Sequence, residues 1–220
     1  MNKVFNEFLQ AVEKFEIKSE ALGDEEIVNR IQQYCILLWH KNQSLNLTRH
    51  TDWETFVSRD LIDTLELSKL IPADKQVLDV GSGGGVPGLL LAILRPDLDV
   101  CLTESVGKRA AVLGEFAEHL GVHCQIYQER AENILTDFRF DFTTARAVGS
   151  LSKMCVWFTD RWLNAGSLLA VKGPNWVNEE KEANEAGLTG EINIRSLVEY
   201  QPPGCDWTSV ILEITPKLAQ

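Results

Sequence analysis

Apolar residues recur at helical spacing over 3–17, where Val4, Phe8, Val12 and Phe15 share one side. They recur again over 25–40, through Ile27, Ile31, Tyr34 and Leu38. A third helix is predicted over 52–70: Asp52 suits its N-cap, Leu61, Leu65 and Leu67 supply a buried side, and Pro72 ends it. The pattern then changes to short apolar runs separated by turn residues. Strands are predicted over 76–80, 99–103, 122–127, 140–144 and 167–171, with helices over about 87–94, 106–120, 150–162 and 176–186 between or after them. Two last strands fall around 190–199 and 207–214, with Pro202-Pro203-Gly204 between them and no intervening helix.

Strands that alternate with helices need right-handed crossovers and give a parallel sheet. The final pair, joined directly, is expected as an antiparallel edge hairpin. The fold class implied is α/β and Rossmann-like: a seven-stranded, mostly parallel sheet with an antiparallel C-terminal hairpin, plus an N-terminal helical cap. The cap covers 1–72 and the α/β domain 73–220, packed as one compact unit. A chain of 220 residues suits one such domain.

The formal net charge of −11 disfavours phosphate-bearing partners if taken alone. Its distribution alters that reading. Acidic residues crowd the N-terminus, from Glu7 to Glu26, and a late stretch from Glu179 to Glu191. Arg49, Arg59, Lys108, Arg109, Arg130, Arg146, Lys153 and Lys172 fall between them, compatible with an acidic back and a locally basic working face. The five cysteines are scattered and form no CxxC pair, so they read as reduced and mostly buried. The four histidines lack zinc-ligand spacing, so no metal is expected. No apolar run approaches a membrane span, and the acidic, amphipathic start lacks the plan of a secretory signal; a cytoplasmic protein with no membrane partner is expected.

The candidate chemistry begins where the first strand ends. Val77-Leu-Asp-Val-Gly-Ser-Gly-Gly-Gly-Val-Pro-Gly88 contains D-x-G-x-G-x-G through Asp79, Gly81, Gly83 and Gly85. Its glycines permit a tight turn and close approach of a ligand to the backbone. Gly83, Gly85 and Gly88 also fit the G-x-G-x-x-G of dinucleotide sites, but a carboxylate at Asp79 would repel a pyrophosphate. An acidic group here instead suits the amino end of a methionine moiety, directly or through water. S-adenosylmethionine is therefore the expected cofactor, and the architecture is that of class I methyltransferases. Glu104, ending the second strand, is expected at the ribose hydroxyls. Ala131 and Glu132, after the third, are expected near adenine.

The segment after the fourth strand, Thr143-Thr-Ala-Arg-Ala-Val-Gly-Ser150, should face the transferable methyl. It has no Asn/Asp-Pro-Pro-aromatic for an exocyclic amine. Cys155 lies in the following helix rather than beside a proline, unlike a carbon-five nucleophile. Arg146 remains, with no obvious general base, which suits an acceptor already nucleophilic at neutral pH, such as guanine N7. Catalysis would then be mainly alignment.

Further motifs add a resemblance: Leu45-Asn-Leu-Thr48, Arg59-x-x-x-Asp63, Arg95-Pro96, Glu104-Ser-x-Gly-Lys-Arg109, Arg130-Ala-Glu132, Ala145-Arg-Ala147 and Leu169-Ala-Val-Lys-Gly173. With the glycine loop they resemble, in order, the bacterial small-subunit ribosomal RNA guanine-N7 methyltransferase family. The resemblance implies methylation of N7 of one guanine in the 530 loop of 16S ribosomal RNA, as free RNA or in the small-subunit particle. It implies cofactor contacts from Gly81, Val86, Ala131, Glu132 and Arg146. RNA contacts are expected at Lys108, Arg109 and Lys172, and at Arg59. The chain departs from the family at Asp60, where a histidine is usual. A monomer is expected. A class I methyltransferase acting on a protein or small molecule, favoured by the net charge, is the alternative, and a noncatalytic module of the same fold a third.

Overall fold

The computed structural model describes residues 2–217, and the side chains of 2–5, 19 and 20 lie outside the described set, Val4 and Glu20 among them. Helices α1 (Asn2–Lys14) and α2 (Glu25–Leu45) open the chain. Asp24 caps α2 by accepting from the Ile27 amide at 3.0 Å, and Asn46 closes it in the left-handed region at φ 49°. The predicted third helix is continuous but changes pitch: α3 (Trp53–Thr55), a π-helical segment (Phe56–Leu61) and α4 (Ile62–Ser68). Asp52 caps it, accepting from the Thr55 amide at 2.8 Å.

The α/β part follows as β1 (Gln76–Val80), α5 (Gly88–Leu94), β2 (Asp99–Thr103), α6 (Gly107–Leu120), β3 (Gln125–Tyr127), α7 (Ala131–Asp137), β4 (Phe142–Arg146), α8 (Leu151–Phe158), α9 (Trp162–Ala165), β5 (Ser167–Lys172), α10 (Trp176–Glu185), β6 (Ile192–Tyr200) and β7 (Ser209–Pro216). The sheet order is β3-β2-β1-β4-β5-β7-β6. All pairs are parallel except β5–β7 and β6–β7. The chain reverses its winding between β1 and β4, the switch point at which open sheets of this kind form a crevice.

Four expectations need correction, the first being β3, which begins at Gln125 rather than at 122. β4 begins two residues later than predicted, because Phe140 and Asp141 bond outside the strand ladder: the Phe140 amide donates to Asn164 O and the Asp141 amide to Gln76 O. That shift makes Arg146 the last strand residue. Helix α7 is absent from the prediction; it begins at Ala131, and its seven residues are too few to show helical periodicity. The predicted helix over 150–162 is two, α8 and α9, separated by a turn at 159–161.

Two cores cover the faces of the sheet. One joins Val77, Val100, Leu102, Leu169 and Val171 to α5, α6 and the N-terminal helices, with Phe8, Ile31, Tyr34, Leu38, Phe56 and Leu61 fully buried. The other joins Leu78, Ala145, Leu168, Ala170 and Leu212 to α7, α8, α9 and α10. The N-terminal helices therefore share a continuous core with one sheet face. Burial of each Leu, Ile or Phe there contributes roughly 1.5–3 kcal/mol.

Candidate cofactor and methyl-acceptor site

After Val80 the chain turns back through the glycine loop. Gly81, Gly83 and Gly85 have φ of 65°, 55° and 108°, a region that side chains with a Cβ rarely adopt. The loop is tied to β2: the Ser82 amide donates to Thr103 O at 2.8 Å, and Thr103 Oγ1 donates to Asp79 O at 2.8 Å. The N-terminal helices hold it from the other side, where the Tyr34 hydroxyl donates to Gly84 O at 2.9 Å. A Cβ on Gly81 would lie 2.9 Å from Val148 Cγ1. One on Gly88 would lie 2.4 Å from Leu102 Cδ2 and 2.5 Å from Asp79 Oδ2, so α5 starts against the sheet only with glycine there.

An open cavity of about 560 Å³ lies over this loop. Of the residues predicted from sequence, Gly81, Gly83, Val86, Glu104, Ala131, Glu132, Arg146 and Arg109 line it. Glu104 braces the loop as well as facing the cavity: Oε2 accepts from the Gly83 amide at 3.1 Å and Oε1 from the Val106 amide at 2.7 Å. Glu132 pairs with Arg130 at 3.5 Å.

Asp79 departs from its expected place. It is fully buried beneath the loop and is not among the residues that line the cavity. Its Oδ1 accepts from Thr144 Oγ1 at 2.8 Å, while Oδ2 has no well-formed hydrogen bond. Burial pushes its pKa up to about 6, against the nearby hydroxyls of Ser82 and Thr144 and the Gly88 amide. Asp79 thus ties β1 to β4 under the loop.

Arg146 is also placed differently from a free cofactor or RNA contact. Its Nη2 lies 2.6 Å from Asp60 Oδ1 and its Nε 2.9 Å from Asp63 Oδ2. Asp60 Oδ1 also meets His50 Nδ1 at 2.9 Å, and Asp63 Oδ1 accepts from the Tyr200 hydroxyl at 2.6 Å. The result is a partly enclosed chain, His50–Asp60–Arg146–Asp63–Tyr200, linking the 46–52 loop, the third helix, β4 and β6. Burial alone would raise the Asp60 pKa; the His50 hydrogen bond and the Arg146 charge outweigh it and hold this carboxyl below its ordinary value. At Asp63 burial wins over Arg146 and Tyr200, and the pKa is raised. Burial disfavours the Arg146 charge, but the two aspartates outweigh it and raise its pKa, keeping the guanidinium charged.

The expected RNA-contact residues divide. Lys172 is turned inward: only 8% exposed, its Nζ donates to Gly149 O at 2.6 Å and to Glu179 Oε2 at 2.7 Å. It clamps the 147–150 segment rather than offering a cation. Arg59 stacks over Trp207 at 4.7 Å. Lys108 is exposed and Arg109 half-buried at the cavity, and neither is in an ion pair among the described residues. Cys155 is buried in the second core with its thiol pKa raised by that burial, unlike an activated nucleophile.

Other lining residues escaped the sequence reading: Leu38, Thr48, His50 and Trp157. The Leu45–Thr48 motif carried a signal for one part of this wall. Asn42 Oδ1 accepts from the Leu47 and Thr48 amides at 2.6 and 2.9 Å, and that holds the motif against Gly84. No spacing rule pairs His50 with Asp60.

The sheet order, the glycine loop with its left-handed Gly81, and the carboxylate of Glu104 just after β2 fit S-adenosylmethionine, and they define a class I methyltransferase. The family described as "GidB: rRNA small subunit methyltransferase G" matches residues 27–201, and the chain belongs to that family. It is 47% identical over 194 residues to the ribosomal RNA small subunit methyltransferase G of Rhodopirellula baltica, covering 88% of this chain and 82% of the relative. The protein of the same name from Halorhodospira halophila is 38% identical over 175 residues, 79% of this chain and 82% of that one. Among solved structures, a methyltransferase from Pyrococcus furiosus shares the fold with a TM-score of 0.57 at 12% identity, covering 85% of this chain and 98% of that chain. A mutant of MtNAS, solved in complex with S-adenosylmethionine, shares it with a TM-score of 0.54 at 15% identity, covering 98% of this chain and 89% of that chain.

Proposed function

We propose that this chain transfers a methyl group from S-adenosylmethionine to N7 of a guanine in the 530 loop of 16S ribosomal RNA. The observation that carries the reading is the 47% identity, over most of both chains, to a protein named for small-subunit ribosomal RNA methylation. When bound, S-adenosylmethionine supplies an electrophilic methyl on a sulfonium. The residues of the chain position it. Gly81, Gly83 and Val86 form the wall for the methionine part, and the lone pairs left on Glu104 accept from the ribose hydroxyls. Ala131 and Glu132 flank the adenine.

The acceptor end lies at β4, beside Arg146, Ala147 and Val148. N7 of guanine brings its own lone pair, and no proton has to leave it before transfer. That agrees with the state of the nearby groups: Asp79 sealed, Cys155 buried, and Asp60 and Asp63 bonded to Arg146. The chain aligns the acceptor with the methyl and excludes water, the two contributions such a reaction needs. Lys108 and Arg109 meet RNA phosphate at the rim. The proposed setting is the cytoplasm, with the protein acting as a monomer.

Among the described residues no helix is long and apolar enough to cross a membrane, and no cluster of metal-ligating side chains occurs. The test is transfer of labelled methyl into unmethylated small-subunit particles, their naked RNA and their proteins. Label in RNA supports the reading. Label confined to protein overturns it.

A further inference from the structure

The cavity spans residues that follow several strands. Glu104, Ala131 and Glu132 stand at the ends of β2 and β3, the nucleoside side, while Arg146 ends β4 at the acceptor side. His50 reaches that acceptor side through Asp60, whose Oδ1 lies 2.9 Å from His50 Nδ1 and 2.6 Å from Arg146 Nη2. The His50 backbone is fixed at both groups: its amide donates to Thr48 Oγ1 at 3.0 Å, and its carbonyl accepts from Trp39 Nε1 at 2.8 Å. Its side chain keeps 24% exposure and lines the cavity, whereas that of Asp60 is 4% exposed. An ionised Asp60 can only accept, so Nδ1 carries a proton, and Nε2 of the neutral ring is an acceptor.

We propose that His50, held in this tautomer by Asp60, accepts the N1–H of the target guanine and so selects guanine and favours its methylation. This rests on the guanine-N7 reading given above. Guanine carries a donor at N1, where adenine carries only a lone pair, so an acceptor at this point discriminates between them. Methylation at N7 makes the purine cationic and its N1–H more acidic. A hydrogen bond from N1–H to Nε2 therefore strengthens as the methyl arrives, which stabilises the transition state more than the bound substrate. The methyl passes from sulfonium to N7, the electron pair of the broken C–S bond stays on sulfur, and the proton stays on N1. Asp60 is the positioning residue. The charged groups linked to His50 are Asp60 on the π-helical segment and, beyond it, Arg146 on β4 and Asp63 on α4, with the Arg59 charge acting on Asp63. A protonated His50 is a donor instead and loses the contact.

The experiment follows single-turnover methylation of unmethylated small-subunit particles against pH for wild-type protein and His50→Phe, with cofactor affinity by calorimetry and melting temperature measured on both. The wild-type rate should fall as the pH is lowered. His50→Phe, which keeps a ring but has no acceptor, should bind the cofactor within about twofold of wild type, transfer methyl on the order of ten- to a hundredfold more slowly, the equivalent of one lost hydrogen bond, and lose that acid limb. A variant that methylates at the wild-type rate, one that keeps the acid limb, or one whose rate falls only in proportion to cofactor affinity or folding overturns the role of His50 alone. Wild-type protein that binds cofactor but never labels the RNA overturns the underlying reading, and this proposal with it.

Discussion

Asp79 lies fully buried beneath the glycine loop, one carboxylate oxygen accepting from Thr144 Oγ1 at 2.8 Å. The motif places a carboxylate at the end of β1, where the sequence predicts a ligand contact. In the fold it is sealed, with its pKa pushed up to about 6 by burial. An acid whose folded pKa lies above its unfolded value binds protons more readily when folded, so its ionisation costs stability as pH rises from about 4 to about 6. Asp79→Asn removes that dependence. The melting-temperature advantage of wild type over the variant should therefore grow as pH falls from 7 to 4.5, by an amount on the order of 2–3 kcal/mol in stability. Parallel curves for the two proteins would show that Asp79 titrates normally. Glycine positions were legible in the sequence because one geometry alone admits them. Arg146 and Lys172 were legible as functional-face cations, but their engagement was not: Asp60, Asp63 and Glu179 reach them only through tertiary packing.

Among the helices and strands, hydrophobic period and turn residues located α2, α6, β1, β2 and the terminal hairpin to within a few residues. They failed where the local signal was short, at α7, or where backbone bonds outside the ladder set the strand's start, at β4. The contact between α2 and the glycine loop was beyond their reach, since Tyr34 reads as one more apolar position on a helix. Its hydroxyl instead links α2 to Gly84. Tyr34→Phe deletes that bond while keeping the ring's packing against Phe56 and Phe116. A net loss of about 1 kcal/mol is expected, or roughly 2–4 °C in melting temperature. Calorimetry should show cofactor affinity falling up to about fivefold, the same energy expressed through the loop. Unchanged stability and affinity would separate the cap from the cofactor site.

Across the protein, a net charge of −11 has to coexist with an RNA substrate. Of the four cations expected beside the cofactor opening, Arg146 and Lys172 are held internally, which leaves Lys108 and Arg109 at the start of α6. Lys and Arg contacts to phosphate release counterions, so binding should weaken as salt rises. Reversing both charges, Lys108→Glu with Arg109→Glu, should reduce RNA methylation and flatten its salt dependence, with cofactor affinity largely retained. Wild-type methylation by the double variant across a salt series would remove this rim from the RNA interface.

The family is named for methylation of small-subunit ribosomal RNA, and the product proposed for this chain is one methylated guanine. The decisive measurement is to methylate unmethylated small-subunit particles with the wild-type protein, digest the RNA to nucleosides and identify the labelled one by mass spectrometry. The expected product is 7-methylguanosine, from a single guanine of 16S ribosomal RNA. Label in any other nucleoside, or in protein alone, would contradict it.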